Sequence, residues 1–425
     1  MARLAYLVRD GSDGSINDGW RTTLYHDNNP TRWDGILGSL EEINIAVKRG
    51  SKDLALEMTK SLLYDLERLP TRDSHAEQIK AVRRRLTSLD VTHFVRGMLM
   101  TEPSLISEQD SETLGTGTYA VVDTVKLGKQ SYARKAVVLP RYRQQQVRKA
   151  IQNELSILRM LDHPHIVRVY LTYEDRSRFF IVMEPLADCD LEDFLAQHST
   201  VAITTTQTLM VCKWLLCLSS TLAYIHSNGV RHKDIKSRNI LVRGEEVIFA
   251  DFGSSHIFHD EGNSTTEGTA FGHTKMYCAP EVMEQGRRNR SADVFSLGCV
   301  FTELAVWLPG SPEHDIATWH DYRETVVDGI ATNSYHASLH KVEQWFAGVD
   351  RKTISRRVYD KVLRKMLHRV PKERVKATEA SKLIARMLKR ASMGLEDSEQ
   401  CPECRLDMWV DMDTDEVAKP FPRDV

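Results

Sequence analysis

Four polar residues in one short stretch are of the types that handle phosphate. Between Gly229 and Gly253 the chain reads GVRHKDIKSRNILVRGEEVIFADFG, with Asp234, Lys236, Asn239 and Asp251 spread along it. The apolar runs Ile240-Leu241-Val242 and Val247-Ile248-Phe249-Ala250 flank Arg243-Gly244-Glu245-Glu246. That pattern predicts two short strands joined by a turn. A hairpin there returns Asp251 to the neighbourhood of Asp234, Lys236 and Asn239. Two carboxylates, an amide oxygen and an ammonium on one spot suit a magnesium-bound phosphate. Hard oxygens take the cation, and the ammonium takes phosphoryl charge.

The elements that must position these groups carry further motifs. His232-Lys233-Asp234-x-Lys236-x-x-Asn239, then Asp251-Phe252-Gly253, then Ala279-Pro280-Glu281, follow one another in this order. Together they resemble the signature set of the eukaryotic protein kinase superfamily, serine/threonine type. The resemblance implies an α+β fold of two lobes over about residues 105–390, a small mostly β lobe and a large mostly α lobe. It also implies ATP and Mg2+ as cofactors and protein Ser/Thr hydroxyls as substrates. Asp251 and Asn239 would hold metal, Asp234 would orient the substrate hydroxyl and accept its proton, and Lys236 would stabilise the γ-phosphate.

The same resemblance extends upstream. Leu114-Gly115-Thr116-Gly117-Thr118-Tyr119-Ala120-Val121-Val122 is similar to the Gly-rich loop over the phosphates, with Gly115, Thr116 and Gly117 as binding residues and Ala120 replacing the third glycine. Lys135 stands where a lysine pairs the α- and β-phosphates, and Glu154 on a charged helix from Gln144 to Leu161 would pair with it. The strand Phe179–Met183 would end in the gatekeeper Met183. Glu184 and Leu186 would then bind the adenine edge by backbone groups, and Val122, Ala133 and Leu241 would sandwich the ring. Lys236 and Thr274 resemble serine/threonine rather than tyrosine enzymes. Lys233 replaces the usual arginine, which weakens the forked grip on an activation-loop phosphate at Ser264, Thr265, Thr266 or Thr269. Arg374 looks like the partner of Glu281.

Two other readings stay open on the sequence. One is a pseudokinase-type scaffold working through its nucleotide lobe and N-terminal helices. The other is a kinase-fold enzyme acting on small molecules. The complete metal and base set argues against the first, and the segment through Ala279-Pro280-Glu281 against the second.

The rest of the chain is less specific. Its 425 residues carry a net charge of −2, so neither nucleic acid nor a membrane surface is an expected partner. Seven cysteines, odd in number and scattered, suit a reducing compartment: the cytoplasm, with the nucleus as the other reading. Residues 1–33 read as an irregular arm. Residues 34–104 read as a helical accessory region with its own possible protein partner: stripes at Leu37, Leu40, Ile43 and Val47, and at Leu54, Met58, Leu62, Leu63 and Leu66, a helix over 74–89 and a short helical piece over 91–100. Arg83-Arg84-Arg85 reads as a solvated helix face. Leu209–Ile225 and Val294–Leu308 read as buried core helices, short for a membrane span. The acids Asp188, Asp190, Glu192 and Asp193 read as a helix start. Residues 309–348 look long and polar, with room for an insertion. Residues 391–425 form an acidic tail. In it Cys401-Pro402-Glu403-Cys404 is half of a zinc site with no second half nearby in sequence. His163 and His165 are not expected as ligands, because no Cys or His follows them at ligand spacing.

Overall fold

The computed structural model describes residues 30–49, 55, 58–59, 61–62, 82, 86, 93–95, 111–116, 120–127, 130–175, 177–198, 203–257, 266–267, 272–285, 287–311, 315–390, 401 and 404. It divides the chain into two compact units: residues 1–93 with 421–425, and residues 94–420.

The first unit is helical where it is described. Helix α1 (Pro30–Lys48) buries Ile36, Leu40, Ile43 and Ala46, a stripe at spacings of three and four. These side chains form one apolar cluster with Ala55, Leu62, Val82 and Leu86, and Val47 and Met58 pack against it. The Leu37 and Arg83-Arg84-Arg85 readings lie outside the described side chains.

At the division between the units, the stretch expected to be helical near residue 91 contains a strand instead, β1 (His93–Val95). It joins the sheet of the small lobe with β2 (Thr113–Thr116), β3 (Ala120–Leu127), β4 (Gln130–Val138), β5 (Arg168–Asp175) and β6 (Arg178–Glu184), in the order β1-β5-β6-β4-β3-β2. A three-residue β segment is too short for periodicity to tell it from helix, and pairing with β5 decides it. Register fixes the chemistry of this sheet. Lys135 lies opposite Val122 and Ile181, and Ala133 lies opposite Met183. Opposed residues share a face, as do residues two apart, so Val122, Ala133, Lys135 and Met183 line one side. Arg134, on the other side, is buried, paired to Asp123 at 2.6 Å and donating to Tyr173 Oη at 2.9 Å. Helix α2 (Gln144–Met160) turns Ile151, Glu154, Leu155, Ile157 and Leu158 inward.

The large lobe is built on two apolar helices. A short bridge strand β7 (Cys189–Asp190) leads into α3 (Leu191–Gln197), whose Asp190 cap accepts from the Asp193 amide at 2.9 Å. The acidic rim is therefore a helix start, and Glu192 is taken up by Arg238 at 2.8 Å. Helix α4 (Thr205–Ser227) opens on a capping box, Thr204 with Gln207. It is long and apolar enough to cross a membrane by composition, yet its side chains from Val211 to His226 are buried with few exceptions inside the lobe. The catalytic stretch follows as β8 (Val230–Arg231), β9 (Ile240–Arg243), β10 (Glu246–Phe249) and β11 (His256–Ile257). The β9–β10 register, Glu246 opposite Arg243, leaves only Gly244 and Glu245 as the turn, tighter than the four residues expected. Gly244 has φ +55°, which suits glycine. Trp214 Nε1 donates to the Glu245 carbonyl at 2.7 Å and the Gly244 amide to Asp188 Oδ2 at 2.7 Å, fixing that turn from both sides.

Helices α5 (Pro280–Gln285) and α6 (Arg290–Trp307) follow. The region after α6 is polar in composition but organised around aromatic rings. Trp319, Tyr322, Tyr335, Trp345 and Phe346 pack on one another, mostly edge to face, with the buried Arg323 guanidinium 3.6 Å from the Tyr335 ring centre. A small hairpin, Thr325–Val327 with Ile330–Thr332, projects from it. Helix Ala377–Arg390 closes the lobe against α4.

Candidate active site

The hairpin does what its sequence predicts. Asp251 leaves β10 in a left-handed conformation, φ +58°, and Lys233 just before Asp234 has φ +67°. Such conformations in non-glycine residues cost energy and persist where surrounding contacts fix them. Those contacts come from Asp293 in the first turn of α6. Its carboxylate accepts from the His232 amide at 2.9 Å, the Lys233 amide at 2.9 Å and His226 Nε2 at 3.0 Å. Burial alone would raise the Asp293 pKa, but the His226 hydrogen bond and the charges and amide around it hold it below the usual carboxylate value. His232 in turn pairs Nε2 with the Ala250 carbonyl at 3.1 Å, tying the catalytic loop to the residue before Asp251. Burial depresses the His232 imidazole, keeping it neutral.

Asp234, Lys236 and Asn239 converge. Lys236 Nζ donates to Asp234 Oδ2 at 2.8 Å. Asn239 Nδ2 donates to the same oxygen at 3.0 Å and to the Asp234 carbonyl at 2.8 Å. Asp234 Oδ1 is buried and, among the described residues, has no hydrogen-bond partner. With Nδ2 engaged, the amide oxygen of Asn239 is the atom left for a cation.

Across the cleft Lys135 Nζ donates to Glu154 Oε1 at 2.7 Å and to Asp251 Oδ1 at 3.0 Å. Burial works against the Lys135 ammonium, but the two carboxylates outweigh it and raise its pKa, so it stays charged. Burial raises the Glu154 pKa, opposed by the Lys135 charge. Asp251 feels burial too, yet the Lys135 charge and hydrogen bond bring it below its usual value. Gly253 sits against this group. A Cβ there would meet Asp251 Oδ1 at 3.2 Å, Glu154 Oε2 at 3.5 Å and Lys135 Nζ at 3.7 Å.

The adenine-side residues fall where the register puts them. Val122, Ala133 and Met183 line the cleft face of the sheet, and Leu241 comes from β9 below it. Glu184 ends β6, and Pro185 and Leu186 follow it towards β7. Gly115 and Thr116 lie on exposed strand β2, whereas Gly117 lies outside the described residues. So do Ser264, Thr265 and Thr269. Thr266 is described only by its backbone pairing with Arg288, and the Thr274 side chain lies outside the described set. Arg374 meets Glu281 in a buried two-pronged pair at 2.8 and 3.1 Å.

Sequence reading missed two supports. Asp293 directly precedes the apolar run Val294–Leu308, and nothing in its spacing marks it as a support. Glu303, a charge interrupting an apolar run, takes a hydrogen bond from Ser237 in the catalytic loop, one from Tyr277 Oη at 2.8 Å and one from Tyr335 Oη at 3.2 Å. An acid in the middle of an otherwise apolar helix was the available signal.

A two-lobed fold with a lysine–glutamate pair in the small lobe, an aspartate–lysine–asparagine group below it and an aspartate on a strained strand end defines a protein kinase. The chain belongs to that family: residues 109–383 match the family described as protein kinase domain. Among curated proteins it is similar to serine/threonine-protein kinase cds1 of Schizosaccharomyces pombe, 35% identical over 203 residues, which are 44% of this chain and 42% of that protein. It is 30% identical to serine/threonine-protein kinase Nek5 of Mus musculus, over 45% of this chain and 29% of that protein. It is 32% identical to a putative serine/threonine-protein kinase A of Trypanosoma brucei brucei, over 45% of this chain and 44% of that one. The chain thus spans less than half the length of each of these relatives.

Proposed function

We propose that the chain is an ATP-dependent serine/threonine protein kinase, passing the γ-phosphate of ATP to protein Ser and Thr hydroxyls. The observation that carries this reading is the buried, unpartnered Asp234 Oδ1 beside an already engaged Oδ2. An acceptor fixed in place and lacking a donor is what an incoming hydroxyl requires. Magnesium fits the residues present. Asp251 is half-exposed despite its contact with Lys135, and with the Asn239 amide oxygen it offers the hard oxygen set that this ion prefers. Bound there, the ion would neutralise charge on the β- and γ-phosphates.

This chain's own residues do the rest. Lys135, held by Glu154, would orient the α- and β-phosphates. Lys236 would face the γ-phosphate while keeping Asp234 in register. Asp234 would orient the hydroxyl and take its proton. Val122, Ala133, Met183 and Leu241 would enclose the adenine, with backbone groups of Glu184 and Leu186 at its edge and Gly115, Thr116 and Gly117 over the phosphates. The names of the relatives and Lys236 favour Ser/Thr over Tyr. A protein partner for the N-terminal helices belongs to the same proposal. So does a reducing, cytoplasmic location, supported by seven cysteines of which none is in a disulfide and tested by cell fractionation. Transfer of γ-labelled phosphate to a generic protein substrate, with and without magnesium, tests the activity. Metal-dependent phosphoserine and phosphothreonine are expected; predominant phosphotyrosine, or no transfer, would overturn the reading.

A further inference from the structure

Half of a metal site in the tail finds its other half in the fold. Cys401 and Cys404 lie beside His165, which follows α2, and one ligand atom from each of the three falls within 4.8 Å of the others. Cys217, buried on α4, is an electrostatic neighbour of all three. No spacing rule links residues 165, 217 and 401, so sequence alone offered only the Cys-x-x-Cys half. The tertiary fold supplies the second half.

The surroundings are those of a built site. Cys217 and Cys404 are 2% and 1% exposed, and His165 is 3% exposed. The His165 Nδ1–H donates to the Val247 carbonyl at 2.6 Å, which leaves Nε2 as the lone-pair nitrogen. That Nε2 is buried and has no oxygen or nitrogen partner among the described residues, which leaves it to the thiols beside it. The Cys404 amide donates to the Cys401 carbonyl at 2.9 Å, closing the tight turn that lets two cysteines three apart aim at one point.

We propose that Cys217, Cys401, Cys404 and His165 bind a structural zinc ion. Three sulfurs and one imidazole are the donor set of closed tetrahedral zinc sites. Sulfurs on one tetrahedral zinc sit about 3.8 Å apart, given Zn–S of about 2.3 Å, so the group of His165, Cys401 and Cys404, within 4.8 Å, needs only a small closure. On binding, the three thiols release their protons to solvent and the neutral imidazole coordinates through Nε2, leaving a centre of net charge −1. The ion would staple the tail to the large lobe at a sensitive place. The His165 carbonyl accepts from the Phe249 amide at 2.8 Å, and the Phe249 carbonyl accepts from Val167 at 3.0 Å, on the strand that ends at Asp251.

Metal content of the full chain, purified under reducing conditions and dialysed after incubation with zinc, tests this. About one zinc per chain is expected. The double variant Cys401→Ser/Cys404→Ser, which leaves the α4 core intact, should retain less than a tenth of that while keeping its far-ultraviolet circular dichroism. Cobalt in place of zinc should give the visible absorption of a tetrahedral thiolate complex in the wild type and not in the variant. A wild type that takes up no zinc, a folded variant that binds as much as wild type, or a Cys401–Cys404 disulfide found by mass spectrometry in the reduced preparation would each overturn it.

Discussion

Asp234 has one oxygen committed to Lys236 and Asn239 and the other buried without a donor among the described residues. That asymmetry could not be read from the sequence, which gave the residue types but not which atoms were already engaged. The residue identities themselves were legible because three motifs fall in order, and Arg374 meets Glu281 as expected. Gly253 is a further residue-scale constraint. A methyl group there presses on Asp251 Oδ1 at 3.2 Å, between the carboxylates and Lys135. Gly253→Ala is expected to lower kcat about tenfold, about 1.4 kcal/mol, with a smaller change in ATP affinity. Steady-state kinetics beside nucleotide-binding calorimetry would show it; an unchanged kcat would mean that the group has room to shift. Asp293 gives a pH signature. Its folded pKa lies below its ordinary 3.8, so its stabilisation is complete above that value and is lost as pH falls through the depressed folded pKa. The stability gap between wild type and Asp293→Asn should therefore be widest above about pH 4 and narrow in acid. Denaturant melts across pH 3–7 measure it, and a pH-independent gap would contradict the assignment.

At the scale of elements, α6 is the beam from which the catalytic loop hangs. Asp293 in its first turn holds the His232 and Lys233 amides, and Glu303 near its end holds Ser237, Tyr277 and Tyr335. Burial pushes Glu303 up, but His320 and the hydroxyls around it leave it ionised below its usual value. Removing it strands several buried donors, and such losses cost about 3 kcal/mol or more. Glu303→Ala should lower Tm by roughly 6 °C or more, and Glu303→Gln, which keeps an acceptor, by less. Calorimetry of both variants decides; an alanine variant melting with the wild type would show that the network carries little. Helix α2 was legible to within a residue, and the apolar run Leu209–Ile225 gave the body of α4 though not its first turn. Strand β1 was not, because three residues carry no period and pairing with β5 decides their form. Nor was the aromatic packing after α6, where Trp and Tyr are spaced too irregularly to read as a core stripe.

Over the whole molecule, what the sequence concealed is what lies far apart along it. The lysine of β4 and the aspartate after β10 touch, although 116 residues separate them. Family motifs made that contact legible; no motif did the same for His165, Cys401 and Cys404, and their meeting emerged only from the fold. The two compact units have separate apolar cores, the first around Leu40 and Ile43 and the second around α4 and α6. The central claim concerns the second unit: its cleft transfers phosphate with Asp234 receiving the hydroxyl proton. The most direct measurement is single-turnover transfer from γ-labelled ATP by wild type and Asp234→Asn, each with its nucleotide affinity determined in parallel. Asn keeps the shape and loses the base, so the account predicts a fall of about a thousandfold in rate, about 4 kcal/mol, with ATP binding within a fewfold of wild type. Transfer by Asp234→Asn at a rate near that of wild type would contradict it.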